Sequence, residues 1–377
     1  MIGERRDSHA PVLATLRILL PIHGALVPGG IATVLKGLVP GLRAAMGPED
    51  HLVVVSPREG SGRLAQAISG IGRPAGALAR LAYEQVALPR RAAACDTVHL
   101  SDARPILVSG RPFVLTVHDV SYLDEPEWYA PGAGMYKRLM LAAALAKQPA
   151  AVVCDSRHSR DRLLAHHPQA ARLDVRVIAP GVAAPPADRP VRQADLADPY
   201  FLTVATIEPR KNHLSVLLAY REARARGLHL RWKVAGAMGH RHEPIVARLR
   251  AQEGVDVLGL VSDRELEGLY ARALFVVAPS HQEGFGYVPL EAMARGVATV
   301  CSIGSGLDES VGDGALRIAP SDVDGWMRAL LRLQSDATER WRLESAGRLR
   351  GARFGWDGYG SAVLACHRRA LETAGRK

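Results

Sequence analysis

The run His281-Gln-Glu-Gly-Phe-Gly-Tyr-Val-Pro-Leu-Glu-Ala-Met-Ala-Arg-Gly296, with the apolar stretch Ala273–Val277 before it, decides how this chain folds. Ala273–Val277 is short and rich in apolar and β-branched residues, so it reads as a strand buried on both faces. Ala278-Pro-Ser280 and the Gly284-Phe-Gly286 turn then break it, and a helix follows. Strand, glycine turn and helix form the repeating unit of a doubly wound parallel sheet, in which ligands bind beyond the carboxyl ends of the strands. Glu283 opens the turn and Glu291 follows in the first turns of the helix. A single glutamate is more often a cap or surface residue; two that bracket a glycine turn at such a junction point to chemistry.

Working outward, the same unit recurs. Leu16–Leu20, Leu52–Ser56, Thr97–Leu100, Phe113–Val117, Ala151–Cys154 and Val175–Ile178 read as buried strands in the first half. Tyr200–Ala205, Arg231–Ala235, Val255–Leu258 and Ala298–Ser302 join Ala273–Val277 in the second. Ala/Leu-rich stretches such as Leu78–Arg91 and Met135–Lys147 read as helices between them. From Ala179 to Pro199 the alternation lapses into a proline-rich run, the composition of a linker. The expected fold class is therefore α/β, with two Rossmann-like doubly wound domains facing across a deep cleft. The expected divisions are residues 1–185, a linker at 186–199, a second domain at 200–355, and a last helical run over 356–377.

Composition agrees and excludes alternatives. The 377 residues are 48% hydrophobic, 23% charged and only 5% aromatic, as expected of globular domains with Ala/Val/Leu/Ile cores. The four cysteines, at 95, 154, 301 and 366, are too scattered for a metal or redox motif and read as buried thiols in a reducing cytoplasm. Val12–Val27 carries Arg17 and His23 and is broken by Pro21 and Gly24, so it reads as strand and loop rather than a membrane span. The net charge of +10 draws on Arg58, Arg63, Arg73, Arg80, Arg90 and Arg91 in the first hundred residues. Without interleaved aromatics or a reading motif, that charge does not point to nucleic acid. It suits a solvated basic face or peripheral contact with an anionic membrane.

Residue chemistry narrows the site. The Gly284 and Gly286 positions let backbone approach a ligand, and the helix start beyond them offers N–H groups to a diphosphate. Glu291 can accept two hydrogen bonds from a vicinal diol such as a ribose. Glu283 is placed for sugar hydroxyls or a developing positive charge. Arg210 and Lys211 follow the first strand of the second half; cations there can bind a diphosphate and offset charge on a leaving group, although such a pair on its own is more often a solvated turn capped by Asn212. The sequence Leu115-Thr-Val-His118-Asp119 ends a buried strand, where the Asp can orient the His. Pro28-Gly29-Gly30 follows the first strand and opens a helical run, as a plain strand-to-helix turn or as a place where backbone nears a ligand.

These residues resemble the signature of retaining glycosyltransferases of family 4, which have the GT-B fold. Seven residues separate the two glutamates, as in that family, and the likeness implies a nucleotide-sugar-binding domain over 200–355 and a last helix over 356–377 that crosses back to the first domain. The likeness continues through Thr206-Ile-Glu-Pro-Arg-Lys-Asn212, Val255–Tyr270, Gly304-Ser-Gly-Leu-Asp-Glu309 and Arg353-Phe-Gly-Trp356. Family members place proline two residues after the second glycine of the loop; here Tyr287 and Val288 precede Pro289. The resemblance implies catalytic roles for Glu283, His118, Lys211 and Arg210. It implies substrate contacts at Gly29, Gly30, Asp119, Leu258, Phe285, Gly286, Tyr287 and Glu291, with backbone near Leu258 meeting the base. It matches Ser156 and Arg157 to a family serine loop.

It implies, further, a nucleotide-sugar donor, best matched to GDP-mannose or a GDP-deoxyhexose, with UDP-sugars as the alternative. The acceptor is a lipid-linked glycan or polysaccharide, and no cofactor or metal is expected; Asp322-Val-Asp324 has Asp-x-Asp spacing but sits in a late loop. Two other classes compete. A nucleotide-dependent oxidoreductase lacks support because no Gly-x-Gly-x-x-Gly occurs. A non-catalytic partner subunit would be expected to lose the Glu pair or the Arg-Lys pair.

Overall fold

The computed structural model describes residues 15–22, 30–56, 83–103, 109–130, 132–183, 185 and 197–374. Gly29, most of the proline-rich run, and Arg58, Arg63, Arg73 and Arg80 lie outside the described residues. Among the described residues, twelve strands fall into two six-stranded sheets. The first holds β1 Arg17–Pro21, β2 His51–Val55, β3 Thr97–Leu100, β4 Phe113–Val117, β5 Ala151–Cys154 and β6 Val175–Val177. The second holds β7 Tyr200–Val204, β8 Arg231–Ala235, β9 Val255–Gly259, β10 Phe275–Ala278, β11 Ala298–Ser302 and β12 Leu316–Ile318. Every pairing is parallel. The α/β expectation is met: apolar runs buried on both faces, such as Phe113–Val117, form the strands.

Strand order fixes where a ligand can sit. The first sheet runs β2-β1-β3-β4-β5-β6 and the second β12-β11-β10-β7-β8-β9. In the first sheet the winding reverses between β1 and β3, in the second between β7 and β10. At a reversal the two following loops diverge and leave a crevice at the carboxyl ends. Arg210 and Lys211 lie after β7, and Glu283 lies after β10. The second-domain half of the expected site therefore stands at its switch point.

Each sheet has its own core. In the second, Phe201 stacks between Trp232 and Phe275 at centroid distances of 5.6 and 5.4 Å. In the first, Leu19, Val98, Leu115 and Val152 are buried with Leu141 of the helix Ala133–Ala146. The last helix, Trp356–Ala374, packs on the first domain against the helix Gly30–Ala45. Glycine makes that packing close: a Cβ on Gly37 would lie 2.0 Å from the Trp356 indole, and one on Gly360 would lie 2.2 Å from the Gly41 backbone. Two buried histidines tie the same helix to the sheet. His367 meets Thr97 Oγ1 at 2.9 Å and His99 at 3.2 Å, and His99 meets Thr116 Oγ1 at 3.2 Å.

Some local expectations need correction. The stretch expected as one helix from Leu78 is, where described, a π-helical turn Tyr83–Ala87 leading into the short helix Leu88–Ala92. Pro89 enters at the first turn of that helix, where its missing N–H costs nothing. β12 was not anticipated, because Leu316–Ile318 has three residues and an exposed centre. All four cysteines are free and buried. Asp322 is the N-cap of the helix Val323–Ser335 and accepts from Gly325 N at 2.8 Å. No helix of the described residues is long and apolar enough to cross a membrane.

Candidate active site

The loop after β10 is built around two close approaches. Gly286 has φ +96°, in the left-handed region, and a Cβ there would stand 2.6 Å from Leu307. A Cβ on Gly284 would stand 2.1 Å from the carbonyl oxygen of His118, in the other domain. The Gly284 carbonyl accepts from Ser156 Oγ at 2.6 Å and Ser159 Oγ at 3.1 Å, and Ser159 Oγ lies 2.8 Å from the His118 carbonyl. The first domain thus grips the glycine loop through its backbone. The helix Tyr287–Ala294 then starts at Gly286 with no acidic residue in its first turn, so its N–H groups remain a positive end. Pro289 sits inside that first turn, where proline is tolerated, so the shifted proline leaves the helix start intact.

Glu283 lies at the centre. Its carboxylate receives Lys211 Nζ at 2.5 Å, Ser280 Oγ at 2.6 Å and Arg210 Nη1 at 3.2 Å. Its backbone is fixed by the loop after β11, through Ser305 Oγ at 3.2 Å and Gly306 N at 2.9 Å. Burial works against its charge, but Lys211, Arg210 and the Ser280 hydroxyl win and hold its pKa down to about 2. Burial and the neighbouring Arg210 pull Lys211 below the ordinary amine value. Arg210 is held charged against burial by Glu283 and Asp119, and its Nη2 also meets Glu208 at 3.1 Å. Asn212 locks this loop by donating to the Pro279 and Pro320 carbonyls at 3.0 and 2.8 Å.

Glu291 keeps separate company. Tyr270 OH lies 3.4 Å from its Oε2, and burial raises its pKa. The two glutamates flank one glycine turn but share no hydrogen-bond partner among the described residues. A carboxylate whose pKa two cations hold down, beside one whose pKa burial raises, is an arrangement that suits two distinct jobs.

The His-Asp pair does not act as a pair. His118 Nδ1 lies 2.7 Å from Asp155 Oδ2, and Nε2 lies 3.0 Å from the Ser101 carbonyl. Asp119 instead accepts from Ser121 N at 3.1 Å and Ser121 Oγ at 2.7 Å. Neighbouring residues in extended backbone point to opposite sides, so adjacency in sequence separates these side chains. Burial opposes the Asp119 charge, but Arg210, Lys137 and Ser121 hold its pKa below the usual carboxylate value. Asp119 therefore faces the cation from across the domain boundary.

The remaining expected residues divide. Gly30 begins its helix 3.8 Å (from a built Cβ) from the Tyr287 ring, at the junction of the domains. Phe285 is buried, and Tyr287 packs edge-on against it at 5.5 Å with its hydroxyl buried. The structure thus seats these two aromatics in the junction with Phe354 and Val182. Leu258 is 41% exposed on the edge strand β9. Ser156 caps the helix Arg157–His166, and Arg157 contributes its N–H rather than its side chain. That N–H and that of His158 meet the Glu309 carboxylate at 2.9 and 2.8 Å. Sequence reasoning passed over Asp155, Glu208, Ser280 and Glu309. Glu208, Ser280 and Glu309 lay inside segments already quoted, but none was given a role.

Two six-stranded parallel sheets whose strand ends meet at a switch point make the architecture of the two-domain GT-B glycosyltransferase fold. Comparison with known proteins makes this particular. A model described as "Glycosyl transferases group 1" matches residues 186–350, and one described as "Glycosyltransferase Family 4" matches residues 28–185. Together these cover residues 28–350, and the chain belongs to this glycosyltransferase family. The O-antigen chain mannosyltransferase B of Escherichia coli is 36% identical over 165 residues, 42% of this chain and 42% of that protein. A D-inositol 3-phosphate glycosyltransferase of Mycolicibacterium paratuberculosis is 31% identical over 56% of this chain and 51% of its own length. The chain thus spans about half the length, or less, of these curated relatives. Among solved structures, sucrose-phosphate synthase from Thermosynechococcus elongatus superposes with a TM-score of 0.72 at 18% identity, covering 95% of this chain and 100% of that one. Anabaena HepE in complex with UDP and glucose gives 0.66 at 16%, covering 96% and 100%. At such identity these establish the shared fold.

Proposed function

We propose that the chain is a retaining, metal-independent glycosyltransferase that moves a hexose from a nucleotide-sugar to a glycan acceptor. The observation that carries this reading is the Glu283 carboxylate held between Arg210 and Lys211 at the switch point, beside an uncompensated helix start. Two cations there bind a diphosphate and stabilise the charge it gains on leaving. The acceptor hydroxyl attacks the anomeric carbon from the side of the departing phosphate. The carbon–phosphate-oxygen bond breaks, the new glycosidic bond forms, and the hydroxyl proton passes to the diphosphate. Glu283 positions the sugar, and Glu291 clamps the ribose.

Mannose or a related deoxyhexose on GDP is the donor favoured by the mannosyltransferase relatives. A lipid-linked or polysaccharide acceptor of a bacterial surface glycan fits the same relatives. Docking at the inner membrane face is supported by Met135 and Leu139, 58% and 57% exposed one turn apart, with exposed Arg138 between them. Thermal-shift screening against GDP, UDP, ADP and TDP, with and without EDTA, tests the donor. Stabilisation by GDP that survives EDTA is expected. Stabilisation by UDP alone moves the donor to a UDP-sugar, and a requirement for added metal overturns metal independence.

A further inference from the structure

The His118 ring meets acceptors on both sides. Its Nδ1 is 2.7 Å from the Asp155 carboxylate and its Nε2 is 3.0 Å from the Ser101 carbonyl. A carbonyl and an ionised carboxylate only accept, so each ring nitrogen must donate, and a ring that donates from both nitrogens is an imidazolium. The clamp comes from three strand ends: Ser101 follows β3, His118 follows β4 and Asp155 follows β5. Asp155 is 2% exposed, and its second oxygen has no hydrogen-bond partner among the described residues. His118 is the hydrogen-bond partner of that carboxylate among the described residues.

We propose that Asp155 is a positioning residue that, with the Ser101 carbonyl, holds His118 doubly protonated as a fixed positive charge on the first-domain wall of the cleft. The proposal rests on the nucleotide-sugar reading for what that charge serves. The His118 carbonyl abuts Gly284, so the charge stands beside the loop that carries Glu283. With Arg210 and Lys211 on the opposite wall, a diphosphate sugar would be flanked by cations from both domains. Both N–H groups are already committed, so the ring acts through charge and leaves hydroxyl recognition to other groups.

The surroundings agree. Burial opposes protonation of His118, but the Asp155 charge and hydrogen bond, Asp119 and the Ser101 carbonyl outweigh it and raise its pKa. Apart from Asp155 and Asp119, the ionisable groups facing this cluster are neutral. His99, in β3, is kept neutral by burial, with a pKa lowered to about 3. The Tyr287 and Tyr359 hydroxyls face Asp155 and stay protonated.

Two measurements on the whole protein test this. Imidazole nitrogen NMR, with His118→Gln to assign the signal, reads the ring directly and needs no donor. At pH 7 both His118 nitrogens are expected to bear protons in the wild type, and only one in Asp155→Asn. With GDP-mannose as the probe, Asp155→Asn is expected to lower kcat/KM about 10- to 100-fold at neutral pH, the worth of one hydrogen bond to a charged group. The alkaline limb of its pH profile should move about one to three pH units lower. A purely structural role would lower activity without moving that limb. A wild-type ring with a single proton, or an Asp155→Asn limb that stays in place, overturns the proposal. Failure of the wild type to use GDP-mannose, with the ring doubly protonated, counts against the donor and not against Asp155.

Discussion

Gly284→Ala is the most incisive small change the structure offers. Its new Cβ would lie 2.1 Å from the His118 carbonyl oxygen and 3.0 Å from Asp119 Cβ. Neither obstacle is a flexible side-chain tip: one is backbone, and the other is the first carbon of a residue held by Ser121. An ordinary carbon–oxygen contact needs about 3.4 Å, so the loop has to withdraw by over an ångström. Withdrawal also stretches the bonds from Ser156 and Ser159 and moves Glu283, the next residue along. Overpacking of this kind costs about 1–3 kcal/mol of stability, and a catalytic group displaced by about 1 Å loses roughly 100-fold in rate. Hexose transfer kinetics and a GDP titration, beside a melting curve, read the three effects apart. The expected result is a large fall in kcat/KM with a folded protein that still binds nucleotide. A Gly284→Ala enzyme with unchanged kcat/KM and an unchanged Tm would refute the account of how the domains meet.

Other perturbations follow from the same geometry. Glu283→Ala should mainly impair turnover, about 100-fold or more, while Glu291→Ala should mainly weaken nucleotide binding, about 10-fold; equal, small effects in both assays would mark the pair as structural. Glu309→Ala removes a carboxylate of the second domain from the N-terminus of the helix Arg157–His166. It should weaken domain closure by about 1 kcal/mol, the usual worth of a helix cap, read as a larger radius of gyration in small-angle scattering; an unchanged radius would count against the latch. Burial keeps His99 and His213 neutral, with pKa values of about 3, and lowers His367 as well. Their folded values lie below the unfolded value of about 6.5, so their contribution is complete above pH 6.5 and is lost as pH falls. Each should remove about 1.4 kcal/mol per pH unit below that point, seen as a falling urea midpoint between pH 7 and 5.5; a flat midpoint would contradict their burial as neutral rings.

Much of the fold was legible because its signal is local. A parallel strand covered on both faces must be apolar throughout, so Phe113–Val117 and Ala298–Ser302 announce themselves. β12 escaped because Leu316–Ile318 lies at a sheet edge and lacks that run. Within the site, strand ends could be read as candidates, but their partners could not. Asp155 reaches His118 from a neighbouring strand, a pairing of sheet order that no spacing encodes. Asp119 looked like the orienting carboxylate only because it is adjacent in the chain. Phe285 and Tyr287 sit in a motif beside functional residues, yet their bulk is used to seat one domain against the other. Glu309 caps a helix more than a hundred residues away in sequence, which only the closed arrangement reveals.

Transfer of label from GDP-[¹⁴C]mannose to a membrane lipid extract, for wild type and Glu283→Ala side by side, bears most directly on the central claim. The site described here predicts that wild type moves label into the glycolipid fraction and that Glu283→Ala does not. Label moved equally by both proteins would contradict the role of Glu283, and no transfer from any nucleotide-sugar by the folded wild type would contradict the function itself.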